Sequence, residues 1–154
     1  MTNNDILRRL RFVFNFNDSK VLRLYAKMKR EMSEAELAGL LKKEDEEGFR
    51  PCDDRTLCQF LDAVIIVKRG LRPGSGIPQP LPSLNNNIIF KKLRIALELK
   101  EEDIIAILEL ANFRIGKAEL SALFRNPEHK HYRYCGDQLM RNFIKGLSLK
   151  YRGK

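Results

Sequence analysis

The chain has 154 residues, enough for one ordinary domain or two very small ones, and 44% of them are hydrophobic, as is typical of a globular protein. No run of about 18 apolar residues is present, so we expect no membrane-spanning segment. The net charge of +9 and the pI of about 9.6 favour a polyanionic partner such as DNA or RNA.

The N-terminal segment and the cysteines indicate the cellular compartment of the protein. The segment MTNNDILRRLR places arginines inside an amphipathic pattern and contains no apolar signal region. The three cysteines cannot all pair within one chain, and such sparse usage suits a reducing compartment. We therefore expect a cytoplasmic protein.

An internal repeat dominates the sequence. Residues 3–70 align without a gap on residues 86–153, at an offset of 83 positions, and about 15 of the 68 pairs are identical. An ungapped register with matching apolar positions indicates a duplication. We expect repeat unit 1 at residues 1–70, repeat unit 2 at 86–154, and between them a Pro/Gly-rich linker, LRPGSGIPQPLPSLN, at 71–85.

The apolar spacing predicts four helices in each unit. The first helix has Asn3 or Asn4 as a candidate N-cap, and its copy has Asn86 or Asn87. The second helix is expected to bury the following residues in the two copies: Val21, Leu22, Tyr25 and Met28, and Ile104, Ile105, Leu108 and Ala111.

The ends of the last two helices also have sequence signals. Ser33 and Glu36 form the pattern of a capping box at the start of the third helix, whose copy has Gly116 in place of the serine. The fourth helix is predicted to start near Cys52 and to stop at Gly70, after a basic last turn. No alternating β pattern competes, so the predicted fold is all-α, with two tandem four-helix repeats related by pseudo-symmetry and joined by the linker.

Catalytic and metal-binding patterns are nearly absent. Gly74-Ser75-Gly76 lies in the proline-rich linker and lacks the lysine of a phosphate-binding loop. His129, His131 and Cys135 have a spacing that suits zinc, but a fourth ligand is missing nearby, and two exposed loop histidines with a buried thiol is the simpler interpretation. We expect no enzyme activity, no catalytic residue, no metal and no cofactor.

Basic clusters give the main functional hypothesis. Residues 1–70 have a net charge of +2 and residues 86–154 of +6, so a polyanion should bind mainly to the second unit. The first helix of each unit has a cationic triplet at matching positions, and phosphate contacts of this kind give salt-sensitive affinity. The predicted nucleic-acid-binding residues are Arg8, Arg9, Arg11, Lys91, Lys92 and Arg94.

Two alternatives to loose DNA or RNA binding stay open. The second and third helices invite comparison with a helix-turn-helix, in which the third helix would read the major groove. The same basic helices would also suit an acidic protein partner or a homodimer, which makes a protein-interaction or dimerisation module the second hypothesis.

The whole chain resembles the YehS-like family of small bacterial cytoplasmic proteins, a tandem-repeat domain of unknown function. The resemblance lies in NNDILRRLRFVF, KKEDEEGF, the segment from Cys52 to Gly70 and their counterparts in the second unit. It implies a duplicated helical fold and a bacterial origin. No activity is established for the family, so the resemblance assigns no catalytic residue.

Overall fold

The computed structural model describes all residues from Met1 to Lys154 and contains eight α-helices and no β-strand. The chain divides into two compact units, Met1–Leu84 and Asn85–Lys154. None of the helices combines the length and apolar character needed to cross a membrane. The all-α class and the tandem arrangement predicted from the sequence are confirmed.

Each unit contains four helices in the same order. The helices of the first unit are α1 Asn3–Phe14, α2 Asp18–Lys27, α3 Glu34–Leu40 and α4 Asp54–Arg69. The helices of the second unit are α5 Asn86–Leu97, α6 Glu101–Leu110, α7 Lys117–Leu123 and α8 Asp137–Arg152.

The N-caps differ in part from the predicted ones. Thr2, rather than Asn3 or Asn4, caps α1, and its hydroxyl accepts the N–H of Asp5 at 3.1 Å. Asn85 caps α5 in the same way through the N–H of Ile88. These caps satisfy the helix starts, so the following asparagines are available for contacts with other parts of each unit.

The paired asparagines tie the first helix of each unit to the start of the last one. Asn86 donates to the carbonyl of Cys135 at 3.0 Å and to Oδ1 of Asp137 at 2.8 Å. This hydrogen bond from Asn86 lowers the pKa of the Asp137 carboxyl. Asn3 makes the corresponding bonds in the first unit, to the carbonyl of Cys52 at 3.1 Å and to Asp54 at 2.7 Å. The recurrence of Asn and Asp in both copies thus has a structural cause.

Only one of the two hydrogen bonds of the capping box predicted for α3 forms. The Ser33 hydroxyl accepts the N–H of Glu36 at 3.0 Å, as predicted. The Glu36 carboxylate pairs with the Arg30 guanidinium at 2.8 Å, and no hydrogen bond back to the Ser33 N–H forms. A charged partner nearby therefore outcompetes the neutral N–H of the box.

The buried face of α2 is shifted from the predicted one. Leu24 is buried, whereas Leu22 is only half-buried, and in α6 Ile107 and Ile105 differ in the same way. Because α2 packs against both α3 and α4, its inward face follows positions 21, 24, 25 and 28. The prediction for Leu22 and Ile105 was wrong, since apolar character alone does not fix the direction of the face.

The C-terminal part of the linker lies along α4 and belongs with the first unit. The N–H of Leu81 donates to Sγ of Cys58 at 3.4 Å, and the N–H of Leu84 donates to Oδ2 of Asp54 at 2.8 Å. Every residue of α4 from 56 to 64 is buried. The linker therefore helps to cover a helix that is buried on all sides between residues 56 and 64.

Candidate nucleic-acid interface

The basic triplet of α1 is partly engaged within its own unit. Arg9 is exposed, but Arg8 donates to Oδ1 of Asp5 at 2.5 Å and to the carbonyl of Lys42 at 3.4 Å. Arg11 donates to Oδ1 of Asp18 at 2.6 Å. Two of the three cations predicted to contact a polyanion thus already have carboxylate partners.

Asp5 is held in place by the start of α1. Partial burial raises its pKa, but the Thr2 N–H, which donates to Oδ2 at 3.1 Å, and the Arg8 guanidinium outweigh this and lower it. The carboxylate is therefore charged at neutral pH and reduces the positive potential around Arg8.

The triplet of α5 has a different environment. Lys91 is exposed and forms no hydrogen bond or ion pair. Lys92 is half-buried. Arg94 lies with its guanidinium carbon 4.5 Å from the centre of the Phe124 ring, and its Nε donates to the carbonyl of Leu99 at 3.2 Å. Arg94 therefore contacts an aromatic ring and a backbone carbonyl, and no carboxylate neutralises its charge.

The difference follows from a few substitutions between the copies. Ile88 stands where the first unit has Asp5, so Lys91 lacks the partner that Arg8 has. The loop before the last helix is EDEE at 44–47 in the first unit and PEHK at 127–130 in the second. Asp5 and three of the four acidic loop residues thus have no acidic counterpart in the second unit, in agreement with its larger net charge.

Lys91 lies at a groove of about 400 Å³ between the start of α5 and the loop that follows α7. Arg125, Asn126 and Tyr132 from this loop line the same groove. No sequence pattern predicted a role in binding for Arg125 or Asn126. The replacement of Asp5 by Ile88 was the signal that could have drawn attention to this region.

The helix-turn-helix interpretation gains no support. Helix α3 has only seven residues, and its sequence, EAELAGL, contains no side-chain hydrogen-bond donor for base edges. The nearest basic residues, Lys42 and Lys43, lie beyond its C-terminus. Base-specific reading by α3 is therefore not proposed.

The residues considered for zinc are not brought together as a metal site. His129 and His131 are exposed, with ring centres 5.6 Å apart, and Cys135 is completely buried. No group of three or more His, Cys, Asp or Glu residues in the chain is arranged to hold a metal ion. The simpler interpretation, two exposed loop histidines and a buried thiol, describes the observed arrangement.

The fold defines a class of small all-helical proteins built from a duplicated four-helix unit. Residues 3–70 and 86–153 each match the family described as "Protein of unknown function (DUF1456)", and the chain belongs to this family. It is 42% identical over 154 residues to "Uncharacterized protein YehS" of Escherichia coli (strain K12), an alignment that covers 100% of this chain and 99% of the relative. The resemblance noted in the sequence is thereby confirmed. No solved structure matches the chain.

Proposed function

We propose that the protein is a non-enzymatic nucleic-acid-binding protein of the bacterial cytoplasm, which contacts phosphates mainly through the basic surface of its second unit. The observation that carries the proposal is the contrast between Arg8 and Lys91. At matching positions of the two copies, Arg8 is paired with Asp5, whereas Lys91 is exposed without a partner. An unpaired lysine on a unit of net charge +6 is suited to bind a phosphate and release counterions.

The remaining cations of the second unit extend this surface. Arg94 is oriented by the Phe124 ring and is not neutralised by a carboxylate. Arg141, Lys145 and Lys150 are exposed along α8. The three cysteines of the chain are buried and form no disulfide bond, which is compatible with the reducing cytoplasm.

A salt-dependent titration tests the proposal. Fluorescein-labelled single-stranded DNA, duplex DNA and RNA are each titrated with the protein, and fluorescence anisotropy is followed at two salt concentrations. We expect affinity to fall by at least about tenfold between about 50 and about 200 mM salt, because several phosphates are contacted. A protein that binds none of the three at low salt would overturn the proposal.

A protein-interaction module is the second candidate, and one pair of residues favours it. Phe12 and Ile95 occupy matching positions on α1 and α5, and they are 38% and 41% exposed. An apolar side chain beside exposed cations suits an acidic, partly apolar protein segment or a second copy of the chain. Single exposed apolar residues are common on protein surfaces, so nucleic-acid binding is the first proposal.

The salt dependence of complex formation distinguishes nucleic-acid binding from protein binding. A complex with a protein partner that buries Phe12 or Ile95 should persist at about 0.5 M salt, because burial of apolar surface is not screened by ions. A complex that depends on phosphate contacts should dissociate under these conditions.

A further inference from the structure

The groove beside Lys91 presents hydrogen-bond donors and no carboxylate. It is formed within the second unit by the N-terminal part of α5 and the segment from Leu123 to Tyr132. Its lining includes Asn85, Ile88, Lys91, Arg125, Asn126 and Tyr132. A concave surface with two cations and no acidic side chain suits an anionic ligand.

Several donors in the groove have no partner within the protein. The Lys91 ammonium and the Tyr132 hydroxyl form no hydrogen bond. In Asn85 and Asn126 the side-chain oxygen accepts a backbone N–H, from Ile88 and Glu128 respectively, and the amide nitrogen of each has no acceptor. These groups leave one charged and three neutral donors available to a ligand.

The side of the groove opposite α5 is held in place by the protein itself. Arg125 donates to the carbonyl of His131 at 3.2 Å, which braces the loop that carries Asn126 and Tyr132. Partial burial raises the pKa of Tyr132, so its hydroxyl remains a donor at neutral pH. The loop that carries Asn126 and Tyr132 is thus supported by a local contact before any ligand binds, which lowers the entropic cost of binding.

The first unit has no equivalent arrangement. Asp5 stands at the position of Ile88 and pairs with Arg8, the counterpart of Lys91. The ammonium of Lys42, the counterpart of Arg125, donates to the carbonyl of Glu47 at 2.7 Å. Phe49, the counterpart of Tyr132, has no hydroxyl. In the first unit, both matching cations therefore already bind groups of the protein itself.

We infer that the groove of the second unit binds one phosphate group of a nucleic-acid strand, through the Lys91 ammonium, the Tyr132 hydroxyl and the Asn126 amide. This inference rests on the proposed nucleic-acid-binding function and assigns its principal phosphate site. Lys91 supplies the charge, and the two neutral donors supply hydrogen bonds to the phosphate oxygens. A phosphate contact carries no sequence information, so we expect the site to bind without regard to sequence.

Two variants test the site by different physical effects. Lys91→Gln should weaken binding of a short oligothymidylate by about 3- to 10-fold and reduce the slope of log affinity against log salt by about 0.7, the value of one phosphate contact on a single strand. Tyr132→Phe keeps the ring but removes a neutral donor, so affinity should fall by about threefold with an unchanged salt slope. Equal affinities of both variants and the wild type would overturn the assignment.

Matched lysine and arginine variants control for the loss of charge alone. Lys117→Gln removes an exposed cation at the start of α7, outside the groove, and should change affinity by less than about twofold. Arg8→Gln, at the matching position of the first unit, should reduce affinity less than Lys91→Gln does. A larger effect of Arg8→Gln would overturn the assignment to the second unit.

NMR distinguishes binding of a nucleic-acid phosphate from binding of a free phosphate ion. The backbone amide signals of Ile88 and Asn126 should shift on addition of the oligothymidylate, and inorganic phosphate should shift them only at far higher concentration. Shifts with inorganic phosphate and none with the oligonucleotide would identify a free-anion site and overturn the inference. If the wild type binds nucleic acid while Lys91→Gln and Tyr132→Phe bind equally well, the inference fails and the proposed function stands. If the wild type binds no nucleic acid at all, both fail.

Discussion

Asn87 accepts the backbone N–H of Cys135 through its side-chain oxygen at 2.8 Å. Its amide nitrogen donates to the carbonyls of Leu123 at 3.0 Å and Arg133 at 2.8 Å. Asn4 makes the same three bonds at the matching positions of the first unit, with Cys52, Leu40 and Arg50. A buried side chain on the first helix thus satisfies three backbone groups around the loop that precedes the last helix.

Asn87→Ala should destabilise the protein strongly. The substitution leaves two carbonyls and one N–H without partners where water has little access, and we expect the free energy of unfolding to fall by about 3 kcal/mol. Urea denaturation at neutral pH, followed by far-UV circular dichroism, measures this change. Asn142→Ala is the matched control, because its one side-chain bond is to the carbonyl of Gln138, one turn earlier on α8. A loss as small as that of the control, within about 0.5 kcal/mol, would contradict the prediction.

Gly146→Ala should also be destabilising, because α6 and α8 approach closely at this position. A Cβ at residue 146 would lie 2.1 Å from the carbonyl oxygen of Ile107, so the helices would have to separate. We expect a loss of about 2 kcal/mol in the free energy of unfolding, although alanine favours a helix over glycine by about 1 kcal/mol. A gain in thermal denaturation temperature would contradict this prediction.

The same position of the first unit supplies the control for Gly146→Ala. Ala63 occupies it and is completely buried, so a methyl group is accommodated between α2 and α4. Ala63→Gly should lower the free energy of unfolding by at least about 1 kcal/mol, through helix propensity and loss of a buried methyl group. Alanine is therefore expected to stabilise one copy and destabilise the other.

The features that were predicted from the sequence are local or repeated. The duplication, the eight helices, the Ser33 cap and the glycine stop after Arg69 each depend on residues close together in the chain or at a fixed offset. Gly70 has a φ of +78° and its N–H bonds to the carbonyl of Ile66, as the predicted stop requires. Local propensity and apolar periodicity were sufficient for these features.

Features that depend on long-range contacts were missed or predicted wrongly. The role of Asn87 depends on carbonyls 36 and 46 residues away, so an N-cap was the only assignment that local sequence suggested. Arg30 donates hydrogen bonds to the Thr56 hydroxyl at 2.6 Å and to the Gln59 side-chain oxygen at 2.9 Å. No sequence pattern predicts these contacts. The groove beside Lys91 likewise depends on which residues of a distant loop pack next to α5.

The buried thiols of Cys52 and Cys135 should be unreactive in the folded protein. Burial raises the pKa of each to about 12, so on the order of one thiol in ten thousand is ionised at about pH 8. Iodoacetamide should therefore leave both residues unmodified in the native protein and modify both in concentrated urea. Mass spectrometry of the digested protein reports each cysteine separately. Modification of native Cys135 at the rate measured in urea would contradict the prediction. An accessible thiol would also bring back the hypothesis that Cys135 binds zinc together with His129 and His131.

Asp53 should make stability depend on pH in acid. Its carboxylate caps α4 by accepting the N–H of Thr56 at 2.7 Å, and the hydrogen bonds from the Thr56 side chain and N–H lower its pKa. Because the pKa of Asp53 is lower in the folded state, the unfolded state binds more protons below about pH 4. The stabilisation by the charged carboxylate is therefore fully present above the pKa of the unfolded state. It is lost as the pH falls through the pKa of the folded state.

Asp53→Asn isolates this contribution. Asparagine caps a helix about as well as aspartate but does not titrate, so at neutral pH the variant should unfold within about 1 kcal/mol of the wild type. Between about pH 4 and about pH 2 its free energy of unfolding should fall less steeply than that of the wild type, because one carboxylate no longer takes up a proton on unfolding. Urea denaturation at a series of pH values measures both slopes. Parallel slopes would show that the Thr56 hydrogen bonds do not discriminate between the charged and neutral carboxyl, whereas a steeper slope in the variant would reverse the sign of the predicted pKa shift.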